Sequence, residues 1–229
     1  MRFIVKKLFL PVVVLSLFLL PFASSCSDKP DPADILTEVK FNVYEGVGEK
    51  VALLSDLSFG EFPKNNDMKK GIITYIATFR LLPKDNLLDK NYSISFELGG
   101  LTYGDDFEID EISGYLVCAI PFDKKTEYDS LTVTIKTTDC AERITLKSLL
   151  PEENTVSYKT ALAKATVVLK DLFDQNTVDG KITGELRMRV IVKKGKAFWY
   201  VGYHYSETDC VALLLDGETG ELLARRNKR

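Results

Sequence analysis

The chain has 229 residues, a net charge of −3, four cysteines and one histidine. Residues 27–150 carry 14 Lys/Arg against 22 Asp/Glu, a net of −8, and residues 151–229 carry 13 against 11, a net of +2. Neither half has the strongly basic surface typical of nucleic-acid-binding proteins. A single histidine and no Cys-x-x-Cys motif argue against a zinc site, so we expect no metal and no cofactor. The charge difference favours two modules with different surfaces.

Residues 1–26 have the features of a bacterial export signal. A basic start precedes an apolar run at residues 8–22, and small residues then lead into Cys26. The run is short and interrupted by prolines, whereas a membrane-spanning helix needs about 20 apolar residues. The small residues directly before the cysteine resemble the lipobox of bacterial lipoproteins. This resemblance implies that residues 1–25 are removed and that Cys26 is acylated, which makes the membrane a partner through the lipid. An ordinary signal peptide or an uncleaved anchor is the alternative.

The segment after the cysteine is polar and contains proline, and such a composition cannot bury apolar surface. We therefore predict that residues 26–35 are the lipidated cysteine and a flexible tether. The Ser27-Asp28 start resembles the tethers of outer-membrane and surface lipoproteins in Gram-negative anaerobes. That similarity implies a lipid-anchored location in the cell envelope, at the outer membrane or the cell surface.

Residues 36–150 show apolar side chains at alternate positions, separated by Gly, Asn and Asp turn signals. Period-two alternation predicts half-buried antiparallel strands, and about seven such strands predict a two-sheet β-sandwich. Residues 82–94 resemble the corner before a late strand in immunoglobulin-like and fibronectin-type sandwiches. This resemblance implies a structural role for the Tyr92 hydroxyl, bonded to the backbone just upstream.

Cysteine usage allows at most one disulfide. If Cys26 is lipidated, Cys118, Cys140 and Cys210 remain. Cys118 and Cys140 lie in the same predicted module and are the expected pair. Free buried thiols are the alternative, in an organism that lives without oxygen.

The periodicity changes after a linker at residues 149–154, so we predict a second domain over residues 151–229. Ser157 is suited to cap a helix whose apolar residues recur every three or four positions. Four strands are predicted after the helix. The overall prediction is a mostly β chain with an α+β C-terminal part, in which a β-sandwich is followed by a helix packed on a small antiparallel sheet.

The closing segment, residues 213–223, reads Leu-Leu-Leu-Asp-Gly-Glu-Thr-Gly-Glu-Leu-Leu. A helix, a small antiparallel sheet and this Asp…Thr-Gly turn between two strands resemble a PepSY domain, over residues 155–225. We expect Asp216 to accept hydrogen bonds from the turn amides and Gly220 to adopt a positive φ. The resemblance implies a binding or inhibitory module of the cell envelope, without catalytic residues.

Two groups of residues invite a chemical interpretation. His204 and Cys210 could act together only if an odd-length loop placed them on one face of the sheet. Glu207 and Asp209 disfavour a thiolate, so a structural cysteine is the preferred interpretation. The acidic run at residues 105–111 lacks the glycine and final glutamate of a calcium loop, and it is predicted to be a solvated loop.

The remaining candidate is a binding surface. Arg187 and Arg189 lie on a strand beside Tyr200 or Tyr203, and arginine with aromatic side chains is favoured at binding surfaces. The neighbouring Trp199 is expected in the core. We therefore predict non-catalytic recognition of a protein or peptide in the envelope or outside the cell. The alternatives are a structural component of a surface assembly, or a hydrolase whose site no motif reveals.

Overall fold

The computed structural model describes residues 30–62, 72–83, 91–122, 128–151 and 154–228. The predicted signal peptide and Cys26 lie outside this range. The fold is mostly β with one α-helix, as the alternating sequence predicts. Within the described residues, that helix is not long and apolar enough to cross a membrane.

The first nine strands are β1 (Leu36–Val47), β2 (Val51–Phe62), β3 (Ile72–Pro83), β4 (Ser93–Leu98), β5 (Leu101–Asp106), β6 (Glu108–Ile109), β7 (Leu116–Phe122), β8 (Ser130–Lys136) and β9 (Ala141–Ser148). Helix α1 (Tyr158–Gln175) follows. The remaining strands are β10 (Thr177–Val178), β11 (Lys181–Ile182), β12 (Glu185–Lys193), β13 (Lys196–His204), β14 (Cys210–Asp216) and β15 (Leu222–Lys228).

Strand β1 connects the two halves of the molecule. Its first part, from Leu36 to Lys40, pairs in parallel with β12, and its later part pairs with β9 at Tyr44 and Glu45. Its other edge pairs with β2 along almost its whole length, with a bulge at Phe41. The sheet order is therefore β15-β14-β13-β12-β1-β2-β3-β7-β6, with β9, β8, β4 and β5 branching from β1.

A first core lies between two groups of strands from the N-terminal half. Side chains of one parity on β2, β3 and β7 face those of β4, β8 and β9, and together they form one cluster of buried residues. Tyr44 is completely buried there, and its hydroxyl donates to the Tyr128 carbonyl at 2.9 Å. Tyr92 is also buried, but residues 84–90 upstream of it lie outside the described range, so its predicted backbone bond stays a prediction.

A second core forms where α1 packs on the antiparallel sheet β12–β15. The helix contributes one buried stripe, made of Ala161, Ala165, Leu169 and Phe173. The predicted N-cap is confirmed, because the Ser157 hydroxyl accepts from the Thr160 amide at 3.2 Å. Three- and four-residue spacing places this stripe on one side of the helix, where it meets the sheet.

The closing turn adopts the predicted geometry. The Asp216 carboxylate accepts from the amides of Glu218 and Thr219, both at 2.9 Å. Gly220 has a φ of +72°, a conformation that a β-carbon disfavours. The turn sets the start of β15, whose register on β14 shifts by one residue between Leu214 and Leu215.

Residues just before β1 and at its start also belong to the second core. Pro32–Ile35 form a 3-10 helix capped by the Asp31 carboxylate, and Ile35 is buried with the residues that surround α1. Val39 of β1 is completely buried in the same cluster. The last four residues of the predicted tether thus belong to the folded part. The apolar side chain of Ile35 explains this, because its burial beside β12 removes apolar surface from water and stabilises the folded state. The boundary at residue 150 stays a prediction.

Candidate binding face

The sheet β12–β15 has one face under α1 and one face turned away from it. Side chains of one parity, such as Met188, Val201 and Leu213, are buried against the helix. Side chains of the other parity are exposed or half-buried. Because β1 pairs with β12, its residues extend this second face. We call it the open face; it includes Glu38, Lys40, Glu185, Arg187, Arg189, Ile191, Phe198, Tyr200, Gly202, His204, Cys210, Ala212, Leu214, Ala224 and Arg226.

Strand register arranges most of the open face in three rows. The first row is Lys40, Arg189, Tyr200 and Leu214, taken from β1 across to β14. The second is Glu38, Arg187, Gly202 and Ala212, and the third is Glu185, His204 and Cys210. Directly opposed residues on neighbouring strands have their β-carbons about 5 Å apart, so each row is a set of contacting positions.

The first row contains a cation on an aromatic ring. The Arg189 guanidinium carbon lies 4.6 Å from the centre of the Tyr200 ring, within the range of a cation–π contact. At the end of the row, Lys40 Nζ is 3.8 Å from Glu38 and 3.3 Å from Asp56. Arg189 has no carboxylate partner among the described residues. Its charge is therefore available to an incoming group.

In the second row, Gly202 is covered by two side chains of its own strand. A β-carbon at this position would lie 3.3 Å from Tyr200 Cε1 and 3.5 Å from His204 Nε2. The Tyr200 and His204 side chains therefore both lie over the glycine, from opposite directions along β13. A glycine within a strand often marks a site where another group approaches closely.

Glu185 holds the neighbouring Arg187 in place. The Arg187 guanidinium donates to both Glu185 oxygens, at 3.0 and 2.9 Å, and the Thr37 hydroxyl donates to one of them at 2.7 Å. Burial opposes ionisation of Glu185, but the hydrogen bonds from Thr37 and Arg187 outweigh it and lower its pKa. Glu185 is therefore a carboxylate at neutral pH, and Arg187 is oriented by it.

Tyr203 does not belong to the open face, contrary to the sequence prediction. It is completely buried, its hydroxyl donates to the Thr183 carbonyl at 2.8 Å, and its ring centre is 4.8 Å from that of Phe173. Burial raises its pKa to about 12. The reason is parity: Tyr203 is three residues from Tyr200, and an odd step along a strand reverses the face. Trp199 is buried as expected, and its indole N–H donates to the Val156 carbonyl at 2.9 Å.

His204 and Cys210 lie on one face. They are direct partners across β13 and β14, because the loop between them has five residues, an odd number. No hydrogen bond joins the two side chains within the described part of the chain. The imidazole Nε2 lies near Gly202 instead. The pair is thus placed together without the geometry of a nucleophile and its base.

The predicted disulfide between Cys118 and Cys140 is absent: neither of these cysteines, nor Cys210, is bonded to another cysteine. Cys118 is on β7 and points into the first core, whereas Cys140 ends the turn between β8 and β9 beside Thr137. The two therefore belong to different layers. Burial, followed by the charges of Asp105, Asp106 and Glu108, raises the pKa of Cys118 to about 12, so this thiol stays protonated.

The acidic run at residues 105–111 is involved in turn formation. The Asp110 carboxylate accepts from the Ser113 hydroxyl at 2.5 Å and from the Ile112 amide at 3.2 Å, and these bonds lower its pKa. Asp105 accepts from the Asp106 amide. Across the described ranges, no three His, Cys, Asp or Glu side chains are grouped closely enough to hold a metal ion.

Sequence reasoning found Arg187, Arg189 and Tyr200 but missed Glu38, Lys40 and Gly202. The glycine was detectable from sequence, as an interruption in an aromatic strand. The β1 residues were not, because their pairing with β12 spans about 150 positions.

No protein-family model matches this chain, and none of the curated proteins or solved structures compared with it is similar.

Proposed function

We propose that this protein is a lipid-anchored component of the cell envelope that binds a protein or peptide partner through the open face. The export signal and the cysteine at position 26 support the anchor. The helix on a four-stranded sheet and the Asp216 turn support a PepSY-like second domain, and the two-layer first core supports an immunoglobulin-like first domain.

The partner is an acidic segment that also carries apolar side chains. On the open face, Lys40 is engaged by Glu38 and Asp56, and Arg187 is engaged by Glu185. Arg189 is held by the Tyr200 ring and keeps its charge for a ligand carboxylate. The half-buried ring of Tyr200 and the side chain of Leu214 supply apolar area beside that charge.

The observation that carries this proposal is the Arg189–Tyr200 contact on an exposed sheet face. Arginine and tyrosine are enriched among residues that dominate binding energy, because they combine rigid contact area with directional hydrogen bonds. Gly202 lets the Tyr200 ring and the His204 imidazole lie close over β13, which fixes the ring beside Arg189.

A displayed peptide library tests the recognition. We expect selection on the full-length protein to enrich peptides with Asp or Glu next to aliphatic or aromatic residues. Binding of those peptides should weaken about tenfold or more in Arg189→Glu, since the charge is reversed at the centre of the face. Gly202→Val should weaken binding as well, because its side chain would displace the Tyr200 ring that holds Arg189.

Lys159→Glu on the exposed surface of α1 is the matched control, because it makes the same charge change away from the open face. Peptides without acidic residues, or acidic peptides that bind Arg189→Glu as tightly as the wild type, would refute the proposed recognition.

The anchor requires a separate measurement. Mass spectrometry of the protein from bacterial membranes should find Cys26 as the first residue, carrying acyl chains. An unmodified chain that begins at Met1 would overturn this part of the proposal and leave the binding face unaffected.

A further inference from the structure

Strands β15 and β5 are the two end strands of one continuous series of paired strands. The series runs β15-β14-β13-β12-β1-β9-β8-β4-β5. Within the described ranges, β15 pairs only with β14, and β5 pairs only with β4. Each therefore presents one edge on which backbone N–H and C=O groups are not used by a neighbouring strand. Such an edge is a template for pairing with another chain.

The β15 edge is basic and begins with exposed leucines. Leu222 and Leu223 are 44% and 52% exposed, which is unusual for apolar side chains of this size in a strand. Arg225 and Arg226 follow, both exposed. In the described part of the chain, neither arginine forms an ion pair.

The β5 edge has the same layout with the opposite charge. It begins with Leu101, which is 59% exposed, and ends with the exposed Asp105 and Asp106. A parallel alignment of Leu101–Asp106 with residues 222–227 places leucine beside leucine. It also places the two aspartates next to the two arginines, within one residue. The two edges are thus complementary to each other in both apolar and charged positions.

We propose that a second copy of this protein occupies each edge, with β15 of one copy pairing with β5 of the next. Charged residues on an edge strand usually prevent pairing between identical edges. Here the two edges carry opposite charges, so like edges repel and unlike edges attract. Because the contact joins two different surfaces, it is heterologous, and repetition gives either a closed ring or an open row of molecules. Arg226 lies opposite Ala212 and continues the open face, whereas Arg225 and the β5 edge lie outside it. The contact therefore adds assembly to the proposed binding function.

Charge reversal on the full-length protein tests the proposal. Sedimentation velocity in mild detergent, with the detergent mass measured separately, should show a weight-average mass that at least doubles from low to high micromolar concentration. Arg225→Glu with Arg226→Glu should remove this association, and so should Asp105→Lys with Asp106→Lys. The fourfold variant with all reversals should restore it, since both edges are again complementary. Equimolar mixing of the two double variants should also restore it.

Every variant keeps the same N-terminus, so association through a lipid anchor would not differ among them. Lys159→Glu with Lys181→Glu, and Asp171→Lys with Glu207→Lys, are the matched controls at exposed positions off both edges, and both should associate like the wild type. A wild-type protein that stays monomeric at all concentrations would overturn the proposal. So would association that survives either double reversal, or a fourfold variant that fails to recover it while its circular dichroism remains native.

Discussion

Asp216 is a residue at which the sequence predicted the contact, and the structure adds its consequence for pH. Hydrogen bonds from the Thr219 and Glu218 amides lower its folded pKa below the ordinary value of 3.8. A group with a lowered folded pKa stabilises the protein above its unfolded pKa, and this stabilisation is lost as the pH falls through the folded pKa.

We therefore expect Asp216→Ala to lower the melting temperature at about pH 6, and this deficit should shrink as the pH falls through the lowered folded pKa and the wild-type carboxyl becomes protonated. Thermal melts followed by circular dichroism measure this difference. Asp216→Asn keeps an oxygen acceptor without the charge. At about pH 6 its melting temperature should therefore lie between those of the wild type and Asp216→Ala. A deficit in Asp216→Ala that stays constant across this range would contradict the assignment of the carboxylate as the turn acceptor.

Tyr203 supports the interior of the second domain rather than its surface. Tyr203→Phe keeps the ring on Phe173 and removes only the hydrogen bond to the Thr183 carbonyl. We expect a loss of about 1 kcal/mol in the free energy of unfolding, the usual net value of one such bond. Urea titration followed by the fluorescence of Trp199, the chain's single tryptophan, measures the loss. Tyr200→Phe is the control; a larger effect there than at Tyr203 would contradict the placement of the two rings.

At the scale of single elements, α1 depends on its N-cap. The Ser157 hydroxyl accepts from the Thr160 amide, which otherwise has no partner within the helix. Ser157→Ala should lower the free energy of unfolding by about 1 kcal/mol, whereas Ser157→Asp should retain most of it because aspartate is also a good N-cap. Urea titration of both variants measures the difference. Equal losses in the two would indicate that the cap contributes nothing.

Local pattern predicted most elements because the side chains that define them are neighbours in sequence. The apolar stripe through Leu169 predicted α1, and the alternation of apolar and polar residues predicted β12, β13 and β14. Aromatic composition alone does not distinguish Tyr200 from Tyr203. Tyr203 lies an even number of residues from the buried Trp199 and so shares its face, whereas Tyr200 lies on the opposite face. Whether His204 and Cys210 share a face depends on the length of the loop between β13 and β14. The sequence left that length open, and the structure shows the strand register that fixes it.

At the scale of the whole molecule, the sharing of β1 between the two cores could not be predicted. Nothing in residues 36–47 indicates a parallel partner about 150 residues away, because sequence pattern reports burial and not the identity of the neighbouring strand. The consequence is physical: Ile35 and Val39 complete the core around α1, although they lie more than 100 residues before that helix in sequence. The open face crosses the same junction, through Glu38 and Lys40.

Residues 154–229 should therefore fail to fold by themselves. A fragment of residues 154–229 lacks the strand that pairs with β12, and it leaves the positions of Ile35 and Val39 in the core empty. Losing two buried aliphatic side chains costs about 4 kcal/mol or more, a large share of the 5–15 kcal/mol that stabilises a typical domain. We expect the fragment to show the red-shifted emission of an exposed Trp199, and a peptide of residues 30–47 added in trans to shift that emission to the blue.

A peptide in which Ile35 and Val39 are both replaced by serine is the matched control, since it retains the backbone pairing but not the apolar contacts. This peptide should cause only a small blue shift of the Trp199 emission, because burying a hydroxyl without a hydrogen-bond partner opposes docking. A fragment that is folded without any peptide, with Trp199 already buried, would show that β1 is dispensable for the second core.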